Sequence, residues 1–248
     1  MITIKNEEEI KTMQEGGRIL AKIMEKLEKM VKPGITTKEL DRAAEALILS
    51  YRATPSFKGY LEFPNSLCTS INENIVHGLP SEYILKEGDL LKLDLGILYK
   101  GFHTDMAVSL GVGRVSSFVK KIINVAQKSL ALGIKRAKVG NTLGDIGFAI
   151  QHFVEGRGFF VIRDLCGHGI GKSIHEDPQV LNFGKKGDGI KLSEGMVICI
   201  EPMVTAGDYN LRKSDDGYGY ATRDNSLSAH FEHTVAITKR GPLILTST

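Results

Sequence analysis

Cysteine, long apolar runs and excess charge are all scarce in this chain of 248 residues. Its three cysteines, Cys68, Cys166 and Cys199, are odd in number and lack CxxC spacing, so neither a disulfide framework nor a zinc knuckle follows from them. No run of about 18 apolar residues is present, so no segment is expected to span a membrane. The net charge of +3 is small for this length and indicates no specific nucleic acid or other polyanion as a partner.

The amino-terminal segment does not resemble a secretion signal, because Met1 to Glu9 contains no apolar stretch of the kind found in such signals. Together with the cysteine pattern, this favours a cytoplasmic protein. The length and the hydrophobic content of 42% suit one globular domain with a sizeable core, or two small ones.

Four helices are predicted from apolar residues spaced by three and four and from residues that form capping boxes. The first ends before Pro33-Gly34. The signals are, in order, Asn6 with Glu9, Thr36 with Glu39, an apolar-periodic stretch from about Ser117 to Arg136, and Thr142 with Asp145 in a helix that runs to about Glu155. The other regions are predicted to form strands and loops.

A hairpin with two aspartates on one face is predicted between the second and third helices. Two registers remain open: a turn at Tyr99-Lys100 places Asp94 directly opposite Asp105, whereas a turn at Lys100-Gly101 places it one pair away. In both registers the carboxylates share a face, because strand side chains alternate. At about 4 Å and an effective dielectric near 20, their repulsion is roughly 4 kcal/mol. A cation between them is therefore expected, with two solvated aspartates as the alternative.

The order of these features occurs twice along the chain, which indicates an internal repeat. The matching pairs are 32–40 with 138–146, Cys68, His77 and Pro80 with Cys166, His175 and Pro178, Asp94 with Glu201, and Asp105 with Glu232. We predict a single domain, 1–248, built from two pseudo-symmetric halves of about 1–112 and 113–248, with helices outside and a curved sheet inside. About 20 extra residues, 206–222, are expected to enlarge the second hairpin.

Glu201 and Glu232 lie within apolar strand segments of the second half, where carboxylates are rare unless they are paired or bind metal. With Asp94 and Asp105 they bring four negative charges towards the pseudo-axis, which two divalent cations balance. Oxygen-rich ligation suits Mn, Fe, Co or Mg. His168, which is flanked by glycines, is the best nitrogen candidate. Three other histidines are expected to be packed or solvated: His103, His230 and His233.

Five stretches resemble the type I methionine aminopeptidases, and the likeness extends over nearly the whole chain. The stretches are Cys68 to Pro80, Asp94 to Asp105, Gly167 to Pro178, Ile200 to Val204 and Ser228 to Thr234. This resemblance implies the pita-bread fold, an internally duplicated α+β architecture in which outer helices cover a curved antiparallel sheet. The chain lacks both the zinc-binding extension of eukaryotic relatives and the long insertion of type II enzymes, so it resembles the compact bacterial form.

The resemblance also implies a function, namely metal-dependent removal of the N-terminal methionine from nascent proteins and peptides, with a preference for a small second residue. It implies two divalent metal ions, such as Mn, Fe or Co, and the ligands Asp94, Asp105, His168, Glu201 and Glu232. Glu201 is also the implied general base, and His77 and His175 are implied to contact the substrate. The implied partner is a peptide or nascent-chain N-terminus, and association with the ribosome is left open.

The methionine pocket implied by the resemblance consists of Phe57, Tyr60, Phe63, Cys68, Ile174 and Tyr218. The chain departs from the family pattern at four positions: Phe57 replaces a common cysteine, Ile174 an aromatic residue, Tyr218 a tryptophan and His230 a glutamine. Two other functions stay open. One is an Xaa-Pro aminopeptidase or prolidase-type peptidase of the same fold, and the other is a non-catalytic binding protein of that fold.

Overall fold

The helices begin and end close to the positions that the sequence predicts. The structure, a computed structural model, describes residues 2–248. Its α-helices are α1 (Glu7–Met30), α2 (Thr37–Ser50), α3 (Ser117–Arg136) and α4 (Leu143–Glu155). Complete capping boxes precede α1, α2 and α4, and they satisfy backbone N–H groups that a helix start leaves without partners. The three predicted boxes are thus confirmed.

Fifteen strands lie between and after these helices in the described part of the chain. They are β1 (Thr54–Pro55), β2 (Cys68–Ile71), β3 (Asn74–Val76), β4 (Leu90–Tyr99), β5 (Phe102–Gly111), β6 (Phe160–Val161), β7 (Gly167–Gly169), β8 (Glu176–Val180), β9 (Val197–Ile200), β10 (Met203–Thr205), β11 (Leu211–Lys213), β12 (Tyr220–Thr222), β13 (Ser228–His230), β14 (Glu232–Thr238) and β15 (Gly241–Ile244). A single 3₁₀ turn, Tyr60–Glu62, lies between β1 and β2.

Nine strands form the main sheet in the order β1-β4-β5-β14-β9-β7-β8, with β2 added on β4 and β15 on β14. Two smaller sheets have the orders β13-β10-β6 and β11-β12-β3. All of these pairings are antiparallel. The extra residues 206–222 therefore do more than lengthen a hairpin, because β11 and β12 join β3 of the first half in a separate sheet.

The aspartate hairpin turns at Lys100-Gly101, which settles the register that the sequence left open. Lys100 and Gly101 have φ values of 48° and 83°, as a two-residue type I′ turn requires. Tyr99 pairs with Phe102, so Asp94 lies opposite Ala107 and one pair away from Asp105. Both carboxylates still share one face of the sheet.

The helices cover the other face of the main sheet. Leu91, Leu93, Leu95 and Ile97 of β4 pack in one core with residues of α1 and α2. Ile198 and Ile200 of β9, with Val235 and Ile237 of β14, pack in a second core with α3 and α4. Because strand side chains alternate, the residues between these apolar positions face away from the helices. No helix within residues 2–248 is both long and apolar enough to cross a bilayer.

Candidate metal centre and adjoining cleft

Four carboxylates meet on the face of the main sheet that the helices leave open. Asp94 lies on β4, Asp105 on β5, Glu232 at the start of β14, and Glu201 directly after β9. The first three are 8%, 3% and 2% exposed, and the Glu201 side chain is 12% exposed. The chain segments that carry them are far apart in sequence, and the pairing of β5 with β14 and of β14 with β9 brings them together.

Glu232 belongs to three groups of possible ligand atoms. We call Asp94, Asp105 and Glu232 the oxygen cluster, and Glu201, His230 and Glu232 the histidine cluster. In each, one ligand atom per residue lies within 4.8 Å of the others. Glu232 is therefore common to two neighbouring groups, each of which could hold a cation. A third group of the same kind contains His168, Cys199 and Glu232.

The electrostatics of the four carboxylates call for added positive charge. None of the ion pairs that lysines and arginines form within residues 2–248 involves them. One oxygen each of Asp94, Asp105 and Glu232 is buried without a hydrogen-bond partner. Burial, and then the neighbouring carboxylates, raise the pKa values of Asp94, Glu201 and Glu232, and burial raises the pKa of Asp105 to about 7. Unpaired buried carboxylates of this kind are costly, and divalent cations would remove the cost.

His168 lies on β7 with one ring nitrogen free to face the carboxylates. The Nδ1 atom donates a hydrogen bond of 2.9 Å to the Gly169 carbonyl, which leaves the Nε2 lone pair available. Nε2 lies 3.7 Å from Oε1 of Glu201. Burial lowers the pKa of His168 to about 3, so the ring is neutral, as a metal ligand must be.

The glycines beside His168 allow the backbone approach that the sequence predicts. A Cβ on Gly167 would lie 2.2 Å from the Cys199 carbonyl oxygen, and one on Gly169 would lie 2.1 Å from the Asp177 carbonyl oxygen. Larger residues at these positions would push β7 away from its neighbours. Glycine at both positions is thus required to hold His168 at the carboxylates.

The sequence does not assign His230 to the site, but the structure places it there. It is packed, as expected, with 1% exposure, but its Nε2 lies 3.4 Å from Oε2 of Glu201. Burial lowers its pKa to about 3. His230 and Glu232 are two residues apart on adjoining strands, so the alternation of side chains gave a signal for their shared face. The other two histidines bind hydroxyls instead: His103 contacts Ser56 and His233 contacts Thr246, both at 2.9 Å.

Cys199 also lies among the carboxylates without having been predicted there. Burial, with the charges of Glu232 and Asp105, raises the pKa of its thiol. A metal binds the thiolate, and this environment disfavours that form. Its Sγ atom lies 3.6 Å from the Thr234 hydroxyl, which in turn accepts a hydrogen bond from the Asp105 N–H and donates one to the Asp105 carbonyl, at 2.9 and 2.8 Å. Thr234 thus fixes Asp105 against β14.

The two histidines implied to contact substrate are exposed in the cleft above the carboxylates. His175 Nδ1 is hydrogen-bonded to the Tyr60 hydroxyl at 2.9 Å, and its ring centroid lies 4.4 Å from that of His168. His77 has a left-handed backbone with φ of 58°, a conformation that non-glycine residues adopt mainly where their surroundings impose it. Its ring contacts that of Tyr220 edge-on.

A cleft of about 450 Å³ reaches down to the carboxylates, and one of its walls is apolar. Five of the six predicted pocket residues line it: Phe57, Tyr60, Phe63, Cys68 and Tyr218. Phe63 and Tyr218 meet edge-on with ring centroids 5.7 Å apart. Ile174 lies outside this lining, 3% exposed, in the core cluster against which Phe57 packs. Other lining residues were not predicted: Leu61, Leu165, Lys213, Gly217 and Tyr220.

A second cleft, of about 570 Å³, continues from the first on the other side of the histidines. The two share five residues: His77, Leu165, His168, His175 and Glu201. Beyond these residues the lining of the second cleft is mixed, with the polar side chains Glu176 and Gln179 and the apolar Val76 and Met203. An extended peptide could thus pass the carboxylates with an apolar group on one side and its remaining chain on the other.

Buried acids with a histidine, set on a curved antiparallel sheet beside a peptide-sized cleft, define a metal-dependent hydrolase. The model of metallopeptidase family M24 matches residues 11–239, and the chain belongs to that family. Its fold is the pita-bread fold, as the sequence resemblance implied. Family membership also establishes the use of divalent metal.

Several relatives that match along nearly the whole length of both chains are methionine aminopeptidases. The one from Clostridium perfringens is 50% identical, with 99% of each chain covered. The crystal structure of the methionine aminopeptidase from Rickettsia prowazekii has a TM-score of 0.98 at 40% identity and full coverage of both chains. A prolidase from Pyrococcus horikoshii is less similar, with a TM-score of 0.80, 25% identity and 63% of its length covered. The comparisons favour the first interpretation over the prolidase alternative.

Proposed function

We propose that this chain removes the N-terminal methionine from nascent proteins and peptides with a small second residue, and that it uses two divalent cations, such as Mn, Fe or Co. The observation that carries the proposal is the meeting of three buried carboxylates, the largely buried carboxylate of Glu201 and a neutral histidine at the bottom of a cleft with an apolar wall. Since nascent N-termini first appear in the cytoplasm, the proposed reaction takes place there.

The residues present fit a pair of divalent ions. Two such ions carry four positive charges, which match the four carboxylates. Buried oxygens of Asp94, Asp105 and Glu232 have no other partner, and the oxygen and histidine clusters meet at Glu232. We therefore propose five ligands: Asp94, Asp105, His168, Glu201 and Glu232.

Glu201 is proposed to act as the general base as well as a ligand. When bound, the cations would make a hydroxide nucleophile available at neutral pH. The Glu201 carboxylate faces both clefts, so it can take a proton on the nucleophile side and return it to the leaving amine. Its backbone carbonyl accepts a hydrogen bond of 2.9 Å from the Asn182 side chain, which fixes the strand end that carries it.

His175 and His77 are proposed to hold the two sides of the scissile bond. Tyr60 fixes the Nδ1 side of the His175 ring, so Nε2 can donate a hydrogen bond to the oxyanion that develops on the carbonyl. His77 lines both clefts, as a group that contacts the amide nitrogen side should.

The methionine side chain is proposed to lie against the apolar wall of the first cleft. Phe57, Tyr60, Phe63, Cys68 and Tyr218 supply aromatic and sulfur contacts that suit a flexible thioether. Ile174 is proposed to act from behind this wall, since it shares a core cluster with Phe57.

We also propose that the domain consists of two related halves, 1–112 and 113–248. The turn before α2 binds Leu85, through the Gly34 N–H to the Leu85 carbonyl at 2.9 Å. The turn before α4 binds Leu192 in the same way, through the Gly140 N–H at 3.0 Å. Equivalent contacts at matching places in the two segments support a duplication.

The activity can be tested with metal-free protein titrated with Mn, Fe or Co and assayed on Met-Ala-Ser, Met-Leu-Ser and Xaa-Pro peptides. Release of methionine from Met-Ala-Ser, and slower release from Met-Leu-Ser, is expected. Cleavage of Xaa-Pro peptides alone would support a prolidase-type enzyme. No cleavage with any metal would support a non-catalytic binding protein.

A further inference from the structure

The imidazole of His230 is held firmly by its backbone and yet uses neither ring nitrogen. Its backbone N–H donates to the Ser109 hydroxyl at 2.8 Å, and its carbonyl accepts from the same hydroxyl at 2.7 Å. On the other side it pairs with Met203 of β10. Among the described residues, neither Nδ1 nor Nε2 has a hydrogen-bond partner, although the side chain is 1% exposed. At least one nitrogen of a buried imidazole usually has a hydrogen-bond partner. The ring of His230 departs from this rule.

The ring is directed at the carboxylates. Nε2 lies 3.4 Å from Oε2 of Glu201, and the ligand atoms of Glu201, His230 and Glu232 lie within 4.8 Å of one another. Ligand atoms around one transition-metal ion, each about 2.0–2.2 Å from it, are separated by distances of this order. Three ligand atoms of the right types therefore surround one position.

We propose that His230 is itself a metal ligand, binding through Nε2 the ion that Glu201 and Glu232 share. This inference rests on the proposed metal pair and adds a second imidazole to it, beside His168. The residue departs from the family pattern, in which the resemblance places a glutamine at the same position. An imidazole in place of an amide changes the ligand chemistry of one ion and leaves the oxygen cluster as it is.

The expected consequence is a shift in metal preference at the histidine cluster. Imidazole suits Zn, Cu, Fe and Ni, whereas carboxylate, carbonyl and water suit Mn and Mg, and the affinity of a given site rises from Mn through Fe to Co. We therefore expect His230 to strengthen Co(II) binding much more than Mn(II) binding. Loss of an outer partner of a ligand already lowers metal affinity by roughly 10- to 100-fold, and loss of a ligand should lower it by at least about tenfold.

A different role for His230 would be to donate a hydrogen bond from Nε2 to Glu201 once the ions are bound. The two roles differ in the count of imidazoles on the metals. In the Co(II)-loaded protein, each bound imidazole keeps one exchangeable N–H proton on its other nitrogen, and the paramagnetic ion shifts this proton outside the normal proton NMR range. The number of such signals counts the bound histidines.

The experiment compares the parent protein with His230→Gln and His233→Gln, each loaded with Co(II). His233 is a matched control because it adjoins Glu232 in sequence but bonds to Thr246, away from the cleft. We expect two exchangeable shifted signals in the parent and in His233→Gln, and one in His230→Gln. Calorimetric titration should show at least about tenfold weaker Co(II) binding in His230→Gln, with Mn(II) binding less affected.

The outcomes separate this inference from the proposed function. One shifted signal in the parent, or an unchanged count in His230→Gln, would show that His230 is not a ligand while the metal pair stands. Equal losses of Co(II) and Mn(II) affinity would point to the hydrogen-bonding role instead. If the parent bound no Co(II) at all, both proposals would fall together.

Discussion

The two segments of the chain on either side of residue 112 contribute to the site in different ways. The first segment gives only oxygen ligands, Asp94 and Asp105, and most of the apolar wall of the cleft. The second gives two carboxylates and, beside them, the imidazoles of His168 and His230. The two segments would thus surround one of the proposed cation positions with oxygen and the other with oxygen and nitrogen. The difference predicts two metal positions with unequal preferences, since hard and borderline cations choose ligands on this basis.

Replacing Glu201 tests the second segment where we expect the largest effect. Glu201→Gln removes a ligand charge and the proposed proton carrier together, and general-base catalysis alone is typically worth about 10²- to 10⁴-fold. We expect a loss of that order in kcat on Met-Ala-Ser, measured with metal content confirmed by elemental analysis. Glu194→Gln is the control, because Glu194 pairs with Lys239 on the surface at 3.5 Å. A fully metal-loaded Glu201→Gln variant with near-parental kcat would refute the role of Glu201.

One variant in each segment then tests the unequal metal preferences. Asp94→Asn should weaken the binding of Mn(II) and of Co(II) to a similar extent, because the oxygen cluster contains no nitrogen ligand. His168→Gln should weaken Co(II) more than Mn(II), with changes of roughly 10- to 100-fold. Calorimetric titration of both ions into both variants gives the ratio of Co(II) affinity to Mn(II) affinity for each variant. If the two variants change the Co-to-Mn ratio equally, the two metal positions do not differ as the structure indicates.

Local rules predicted much of this site from the sequence alone. Capping residues gave the starts of α1, α2 and α4, and strand alternation placed Asp94 and Asp105 on one face in either register. The register itself had a signal, because a type I′ turn favours glycine at its second central position and Gly101 occupies it. The same alternation applied to His230 and Glu232 would have found the additional imidazole.

Other parts of the site depend on pairings that no local pattern reveals. Tyr218 and Lys213 reach the cleft because β11 and β12 form a sheet with β3, a strand far away in the sequence. Ile174 lies next to a cleft histidine, but its side chain points into the core cluster instead. Cys199 reaches the carboxylates only through the pairing of β9 with β14. Tertiary contacts of this kind decide which residues line a cavity.

The carboxylates and the histidines of the site should also have opposite effects on how the stability of the metal-free protein depends on pH. Burial raises the pKa of Asp105 to about 7, so the folded state binds more protons than the unfolded state between about pH 4 and 7, and stability falls as pH rises. The lowered pKa values of His168 and His230, about 3, act in the other direction, because unfolded histidines bind protons below about pH 6.5. The contribution of these two histidines to the stability of the folded protein therefore rises with pH.

Asp105→Asn removes one of these opposing contributions. Urea unfolding with a chelator present should show that the stability of the variant relative to the parent increases from pH 4 to 8. A gain of about 1 to 2 kcal/mol at pH 8 is expected, because the variant avoids part of the cost of several kcal/mol that a buried, unpaired charge carries. With metal added, the parent should become the more stable protein. A difference that stays constant across this pH range would contradict the assigned sign.

The smallest expected effect concerns the side-chain hydrogen bond by which Tyr60 of the first segment positions His175 of the second. Tyr60→Phe removes the hydroxyl that contacts His175 Nδ1 at 2.9 Å and keeps the ring that lines the pocket. One hydrogen bond is worth about 0.5–1.5 kcal/mol, so kcat should fall by about two- to tenfold with little change in KM. Tyr51→Phe is the control, since the Tyr51 hydroxyl contacts only Lys26 among the described side chains, at 3.4 Å. A change in KM alone would mean that Tyr60 contributes to substrate binding in the pocket and does not position His175.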